Sequence, residues 1–274
     1  MSNHQKKNCC HCITTIFPSH YLKREVRIDY YLPSNHNKNS SLLFLFDGQD
    51  ANNLQLQFTL EKLLVGQKIN PLIVVAIHAD KNRLLEYGIA SKADYLKRGR
   101  KAKQNRLFVC LELLPYVQNF LQVQIKSYRT AIAGFSLGGL TAFDIAWHHS
   151  DIFGIAGVFS GSFWWRKKSY DNGYTDKDRI MHQIVRKTDA IPKLKCWIQT
   201  GTEDETADRN QNGIIDSIED ATDLITEMKN IGVPARNIKY LKISGGQHNH
   251  HTWSFALPMF LEWAFGRKKK VDIY

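Results

Sequence analysis

Long apolar runs are missing from this chain. The longest, SLLFLF (41–46) and LIVVAI (72–77), have the length of buried strands and are far too short to span a bilayer. The amino-terminal MSNHQKKNCCHC has no apolar run behind its lysines, so it does not read as a secretory signal, and a cytoplasmic protein is the expectation. Cysteine is sparse and odd in number, five in 274 residues, which fits a reducing compartment better than a disulfide framework. Cys9, Cys10, His11 and Cys12 have no second ligand pair at a useful spacing, so residues 1–14 are expected to be a disordered tail rather than a metal site. There is no internal repeat and no low-complexity linker, and residues 15–274 read as one domain.

Negative charge is also short. The net charge is +11, much of it in KRGRKAKQNR (97–106) and RKKK (267–270). Solvated surface is the plain reading; the sharper one is attraction of an anionic substrate. No aromatic-basic interleaving or recognised motif supports nucleic-acid binding, and no segment suits a membrane.

What is present is a repeated pattern. LKREVRIDYYL (22–32) alternates like a half-exposed strand. SLLFLFDGQD, PLIVVAIHA, YRTAIAGFS, GIAGVFSGS (154–162), LKCWIQTGTED (194–204) and NIKYLKISGGQH (237–248) are short apolar runs ending in small or polar residues. Helical spacing fills the intervals, at 104–121 with Pro115 as a kink, at 137–149, at 217–230, and in WSFALPMFLEWAF with Pro258 inside it. Alternating strands and helices predict an α/β fold, a mostly parallel central sheet with helices on both faces and its first strands antiparallel. Residues 80–106 form a long connection, and Arg83, Glu86 and Tyr87 there either border a cleft or make a surface ion pair.

AIAGFSLGG (131–139) holds Gly-x-Ser-x-Gly between an apolar run and a helix. A nucleophilic serine has to project from a tight strand-to-helix turn, where residues lacking a Cβ let the backbone crowd. The helix start then offers free N–H groups to a developing oxyanion, and the Leu137 amide is well placed for this. A small-residue turn packing helix on sheet is the plainer alternative. Ser136 needs a base, and chain order predicts serine, then acid, then histidine. His148 and His149 complement a helix C-terminus, so GGQHNHHTW (245–253) supplies the base: His248 first, with His250 and His251 as competitors. The acid is one of Glu203, Asp204 and Glu205, with Asp204 placed first and Glu203 next. In FLFDGQD the Gln49 amide, after Asp47-Gly48, is the second oxyanion donor.

With these segments the chain resembles the putative esterase family of α/β hydrolases, a group that includes enterochelin, feruloyl and acetyl-xylan esterases, S-formylglutathione hydrolase and mycolyltransferases. The resemblance runs from about residue 20 to 266: LLFLFDGQD as the oxyanion strand and loop, GFSLGGLTAF as the elbow, FSGSFWW (159–165) after the next strand, GTEDE as the acid turn and GGQHNHHTW as the histidine loop. It implies an α/β-hydrolase fold and a serine hydrolase that cleaves a carboxylic ester through an acyl-enzyme, with no organic cofactor and a small-molecule ester as partner. Phe163, Trp164 and Trp165 line the substrate pocket or anchor the core. The basic surface and tryptophans would suit an anionic or aromatic ester. An acyltransferase of the same fold and a non-catalytic, calcium-stabilised binding module are the alternatives.

DRNQNGIIDSIE (208–219) has the oxygen-ligand rhythm of a calcium loop. Asp208, Asn210 and Asn212 would give side-chain oxygens, Ile214 a carbonyl, Asp216 a direct or water-bridged oxygen and Glu219 a bidentate carboxylate, with Gly213 at the turn. Only the exit side looks helical and no second copy exists, so the expectation is a structural Ca2+ rather than a sensor; a polar loop of Asx-turns is the alternative.

Overall fold

The computed structural model describes residues 9–267. Strands β1 (Cys10–Ser19), β2 (Arg24–Pro33), β3 (Ser41–Phe46), β4 (Leu72–Ile77), β5 (Thr130–Phe135), β6 (Ile155–Phe159), β7 (Lys195–Glu203) and β8 (Ile238–Gln247) make one eight-stranded sheet in the order β1-β2-β4-β3-β5-β6-β7-β8. β2 pairs antiparallel with β1 and β4; from β4 to β8 every pairing is parallel.

The helices are α1 (Leu56–Val65), α2 (Arg83–Glu86), α3 (Ala102–Leu107), α4 (Leu114–Phe120), α5 (Leu137–His148), α6 (Ile180–Arg186), α7 (Asp216–Asn230) and α8 (His250–Phe265). Alternate strand residues serve opposite faces. Leu42, Phe44 and Phe46 of β3 pack with Leu140 and Phe143 of α5 and with Leu224 and Met228 of α7 in one core. Leu43 and Leu45 share the other core with Leu56, Leu60 and Leu63 of α1 and Leu257, Phe260 and Leu261 of α8. Cover on both sides explains why β3 and β4 are buried at every position and read as unbroken apolar runs. This is the α/β-hydrolase fold.

Two expectations are corrected. Residues 10–14 are not a disordered tail: β1 starts at Cys10 and pairs with β2 over its whole length, from Cys10 opposite Pro33 to Ser19 opposite Arg24. The pairing satisfies backbone groups that the polar sequence gave no reason to bury. Residues 1–8 of that expected tail lie outside the described residues. All five cysteines are free thiols. Second, the helix over 104–121 is interrupted by a π-helical segment, Phe108–Leu113, with Pro115 in the first turn of α4. The Leu114 N–H reaches back five residues to the Val109 carbonyl, and Pro115 follows in the first turn of α4, where its missing N–H costs least.

The long connection is tied down by charge. Arg24 donates to both Glu86 oxygens at 3.0 and 2.7 Å, and Glu86 is buried. Arg98 pairs with Asp94 and lies 4.7 Å from the Trp164 ring centre. Among the described residues no helix is long and apolar enough to cross a membrane.

Candidate active site

β5 ends at Phe135 and α5 starts at Leu137, so a single residue, Ser136, turns the chain. It does so at φ 54°, ψ −120°, a conformation that costs an L-residue on the order of 1–3 kcal/mol. Crowding holds it there. A Cβ on Gly134 would lie 2.4 Å from the Gly138 carbonyl carbon, and one on Gly138 would lie 2.7 Å from Asp47 Oδ2. The Ser136 N–H donates to the Phe159 carbonyl at 2.9 Å, and its own carbonyl accepts from the Ser162 N–H at 3.2 Å. The hydroxyl, left projecting, is 3.4 Å from Ser162 Oγ.

The loop after β3 faces this turn. Asp47 adopts φ 62°, and a Cβ on Gly48 would come within 2.8 Å of the Ala76 carbonyl carbon, so only glycine lets the loop lie on β4. Arg83 clamps the loop from above, donating to both Asp47 oxygens at 2.7 Å and reaching the Phe135 carbonyl at 3.4 Å. The Asp47 N–H donates to the Tyr87 hydroxyl, whose pKa burial holds well above its ordinary value, so the phenol stays neutral. The Gln49 side chain is also engaged, accepting from the Ala79 N–H at 2.9 Å and donating to Asp47 at 3.1 Å. Among the described residues, neither the Gln49 N–H nor the Leu137 N–H donates to a protein acceptor. Two unspent backbone donors therefore belong to the two loops that meet at Ser136.

The turns that carry the candidate acid and base are built as a pair. β7 and β8 shift register between Gly201 and Glu203. A Cβ on Gly201 would meet the Gly246 oxygen at 2.1 Å, so the two glycines let the backbones touch and bring the histidine loop onto the acid turn. Asp204 is the buried member of Glu203, Asp204 and Glu205, with 8% of its surface exposed. Its Oδ1 accepts from the Ser160 hydroxyl at 3.0 Å and its Oδ2 from the Gly201 N–H at 3.0 Å. Burial raises its pKa, and those two bonds and the nearby His248 imidazole act against that rise. Glu203 is turned outward and accepts from Gln247 at 3.3 Å.

His248 stands between the end of β8 and Asn249, the cap of α8. Thr252 pins both sides: its hydroxyl accepts from the Gln247 N–H at 2.9 Å and its N–H donates to Asn249 Oδ1 at 3.0 Å. The His248 ring packs against the edge of Trp253 at 5.2 Å, and Trp253 also lies 5.2 Å from Phe135, next to Ser136. Desolvation lowers the His248 pKa; Asp204 opposes this and Arg83 adds to it. Among the described residues no hydrogen bond yet joins Ser136, His248 and Asp204; such bonds are often long without substrate. Of the competing histidines, His250 pairs with Asp50 at 3.4 Å, and His251 is exposed as His248 is; it is His248 that lies near enough to Asp204 for their charges to interact. His182, buried in α6 against the Asp220 carbonyl, has its pKa driven down to about 3 and stays neutral.

The expected aromatic pocket is corrected in part. Phe163 and Trp165 are completely buried, so neither has a face to offer a substrate. Phe163 packs on Phe143 of α5, and the Trp165 indole donates to the Lys92 carbonyl at 3.1 Å. Only Trp164 keeps partial exposure. After the Ser160–Ser162 turn the segment dives under the connection rather than along the cleft. Ser160 and Ser162 are the site residues that sequence reasoning missed.

The 208–219 loop lies apart from the serine, beside a cleft of about 660 Å3 lined by Tyr170, Tyr174 and Arg209 among others. Asp208 collars the loop by accepting from the Asn212 and Gly213 N–H groups, and Gly213 turns at φ 83°. Asn210 and Asn212 both reach Glu219 Oε1 at 2.7 Å, and the Asn212 oxygen accepts from the Ile214 N–H at 2.8 Å. Arg209 pairs with Asp216 at 3.2 Å and Glu219 at 3.0 Å.

The sequence model of the Putative esterase family matches residues 19–264. The iron(III) enterobactin esterase of Escherichia coli strain K12 is 30% identical over 125 residues, 45% of this chain and 29% of that protein. The chain thus spans under a third of the curated relative's length. The enterobactin esterase FES from Shigella flexneri, solved with 2,3-dihydroxy-N-benzoyl-glycine, superposes with a TM-score of 0.72 at 20% identity, over 93% of this chain and 59% of that one. A ferulic acid esterase from Anaeromyces mucronatus, solved with ferulic acid, superposes with a TM-score of 0.69 at 15% identity, over 97% of this chain and 94% of that one. With nearly all of its described residues inside the family match, the chain belongs to the Putative esterase family.

Proposed function

We propose that the protein is a serine carboxylesterase. The observation that carries this reading is the strained Ser136 turn, flanked by two free amides, with the His248 ring packed on Trp253, which also packs on Phe135, and the buried Asp204 carboxylate near enough to act on the imidazole. Ser136 Oγ attacks the ester carbonyl while His248 takes its proton. The Gln49 and Leu137 amides hold the oxyanion, each contributing about 3–4 kcal/mol as in comparable sites. His248, now an imidazolium facing Asp204, protonates the leaving alcohol. It then deprotonates water, which attacks the acyl-enzyme and releases the acid and Ser136. The substrate class we infer is an ester of an acidic or aromatic acyl group. The likeness to enterobactin and ferulic acid esterases and the net charge of +11 support it. A panel of aryl and alkyl esters tests both points: turnover lost in Ser136→Ala is expected, and no turnover of any ester would overturn the reading.

We infer also that residues 208–219 hold a structural calcium ion. The oxygen-bearing residues at calcium-loop spacing and the positive φ of Gly213 support this; the Asn210 and Asn212 amides, which donate to Glu219, would turn their oxygens to the ion. Asp208, Asn210, Asn212, the Ile214 carbonyl, Asp216 and Glu219 would be the ligands. The ion would have to take Asp216 and Glu219 from Arg209. Melting with calcium against chelator tests it; an unchanged midpoint would remove the ion.

A further inference from the structure

Asp204 does not stand alone behind His248. Trp253, in the first turn of α8, donates its indole N–H to Ser160 Oγ at 2.9 Å, and that hydroxyl donates to Asp204 Oδ1 at 3.0 Å. The direction of both bonds is forced. An indole nitrogen can only donate, so Ser160 accepts from it; the hydroxyl has one proton, and it is left for the carboxylate. Ser160 and Asp204 are buried, and Trp253 is 7% exposed, so water does not compete for either bond.

The geometry around Ser160 is held at a cost. The residue sits at φ 45°, where an L-side chain is strained, directly after β6. Its N–H donates to the Gln199 carbonyl of β7 at 2.8 Å, which fixes the turn against the strand that carries the acid. The same Trp253 ring packs on His248 and on Phe135, the residue before the nucleophile. One side chain therefore contacts the base, the strand of the nucleophile and, through one hydroxyl, the acid.

We propose that Ser160 and Trp253 are positioning residues that fix the Asp204 carboxylate and couple it to the histidine loop. The inference rests on the esterase reading and adds to it two residues outside the triad. Asp204 then presents its remaining lone pairs in one orientation, and the Ser160 bond disperses its charge. Removing that bond makes the carboxylate more basic, which stabilises the imidazolium and raises the His248 pKa. The neutral base then forms only at higher pH.

The test is the pH profile of kcat/KM for p-nitrophenyl acetate with Ser160→Ala and Trp253→Phe in the full chain. Ser160→Ala is expected to lose about tenfold in kcat, the worth of a hydrogen bond to a charged group, with KM nearly unchanged. Its ascending limb should move to higher pH, a shift that a merely structural defect would not produce. Trp253→Phe keeps the ring packing and removes only the donor, so the same shift is expected with a smaller loss. It also carries the test if Ser160→Ala fails to fold. Wild-type kcat and an unmoved limb in a folded variant would overturn the proposal. Inactive wild-type protein would instead overturn the esterase reading, and this inference with it.

Discussion

Two glycine-bearing turns stand out in this molecule, the Ser136 elbow and the 208–219 loop, and they are rigid for opposite reasons. At the elbow, glycine is required because other atoms are already there: a Cβ on Gly134 would sit 2.4 Å from backbone. In the loop, a Cβ on Gly213 would meet nothing within 4 Å, and glycine is favoured only because φ is 83°. The elbow is shaped by the sheet, by α5 and by β6. The loop is shaped by its own side chains, with Asp208, Asn210 and Asn212 each accepting from a backbone N–H a few residues on. A motif fixed by its surroundings cannot relax when altered, whereas one fixed by itself can.

The sharpest way to break this comparison is chemical. Ser136→Ala should lower kcat on the order of 10⁶-fold, as loss of a serine nucleophile does elsewhere, while stability stays within about 1 kcal/mol. Steady-state kinetics and urea unfolding measure the two. The steric contrast comes next. Gly134→Ala should cost about 3 kcal/mol or more, since backbone rather than a mobile side chain must move. Gly213→Ala should cost only about 1–2 kcal/mol, the left-handed penalty alone. Equal costs in urea titrations would contradict the distinction.

The smallest expected effect is electrostatic. Desolvation and Arg83 lower the His248 pKa against the opposing pull of Asp204, so the ascending limb of kcat/KM should have its midpoint below the ordinary histidine value of 6.5. The sign is fixed: neutral imidazole is the active form, and a lower pKa makes it available at lower pH. Arg83→Gln removes a cation and should move the midpoint upward.

Much of this was legible in the sequence because the decisive segments are local. Gly-x-Ser-x-Gly between an apolar run and a helix described its own turn, and the buried strands announced themselves as apolar runs. β1 was not legible, because CHCITTIFPS is an edge strand with mostly exposed positions whose order comes from pairing with β2. Phe163 and Trp165 were equally opaque: their composition suits a pocket or a core, and only the path of the chain after Ser162 decides. Ser160 gave no signal, since its partners lie 44 and 93 residues away. The acid could be narrowed to three neighbours with Asp204 placed first, but which one is buried depends on the register shift beside Gly201.

The most direct measurement is mass spectrometry of the protein after a fluorophosphonate probe. A single adduct on the peptide containing Ser136, absent in Ser136→Ala and much slower in His248→Ala, is the predicted result. An adduct that survives Ser136→Ala, or labelling that ignores His248, would contradict the account.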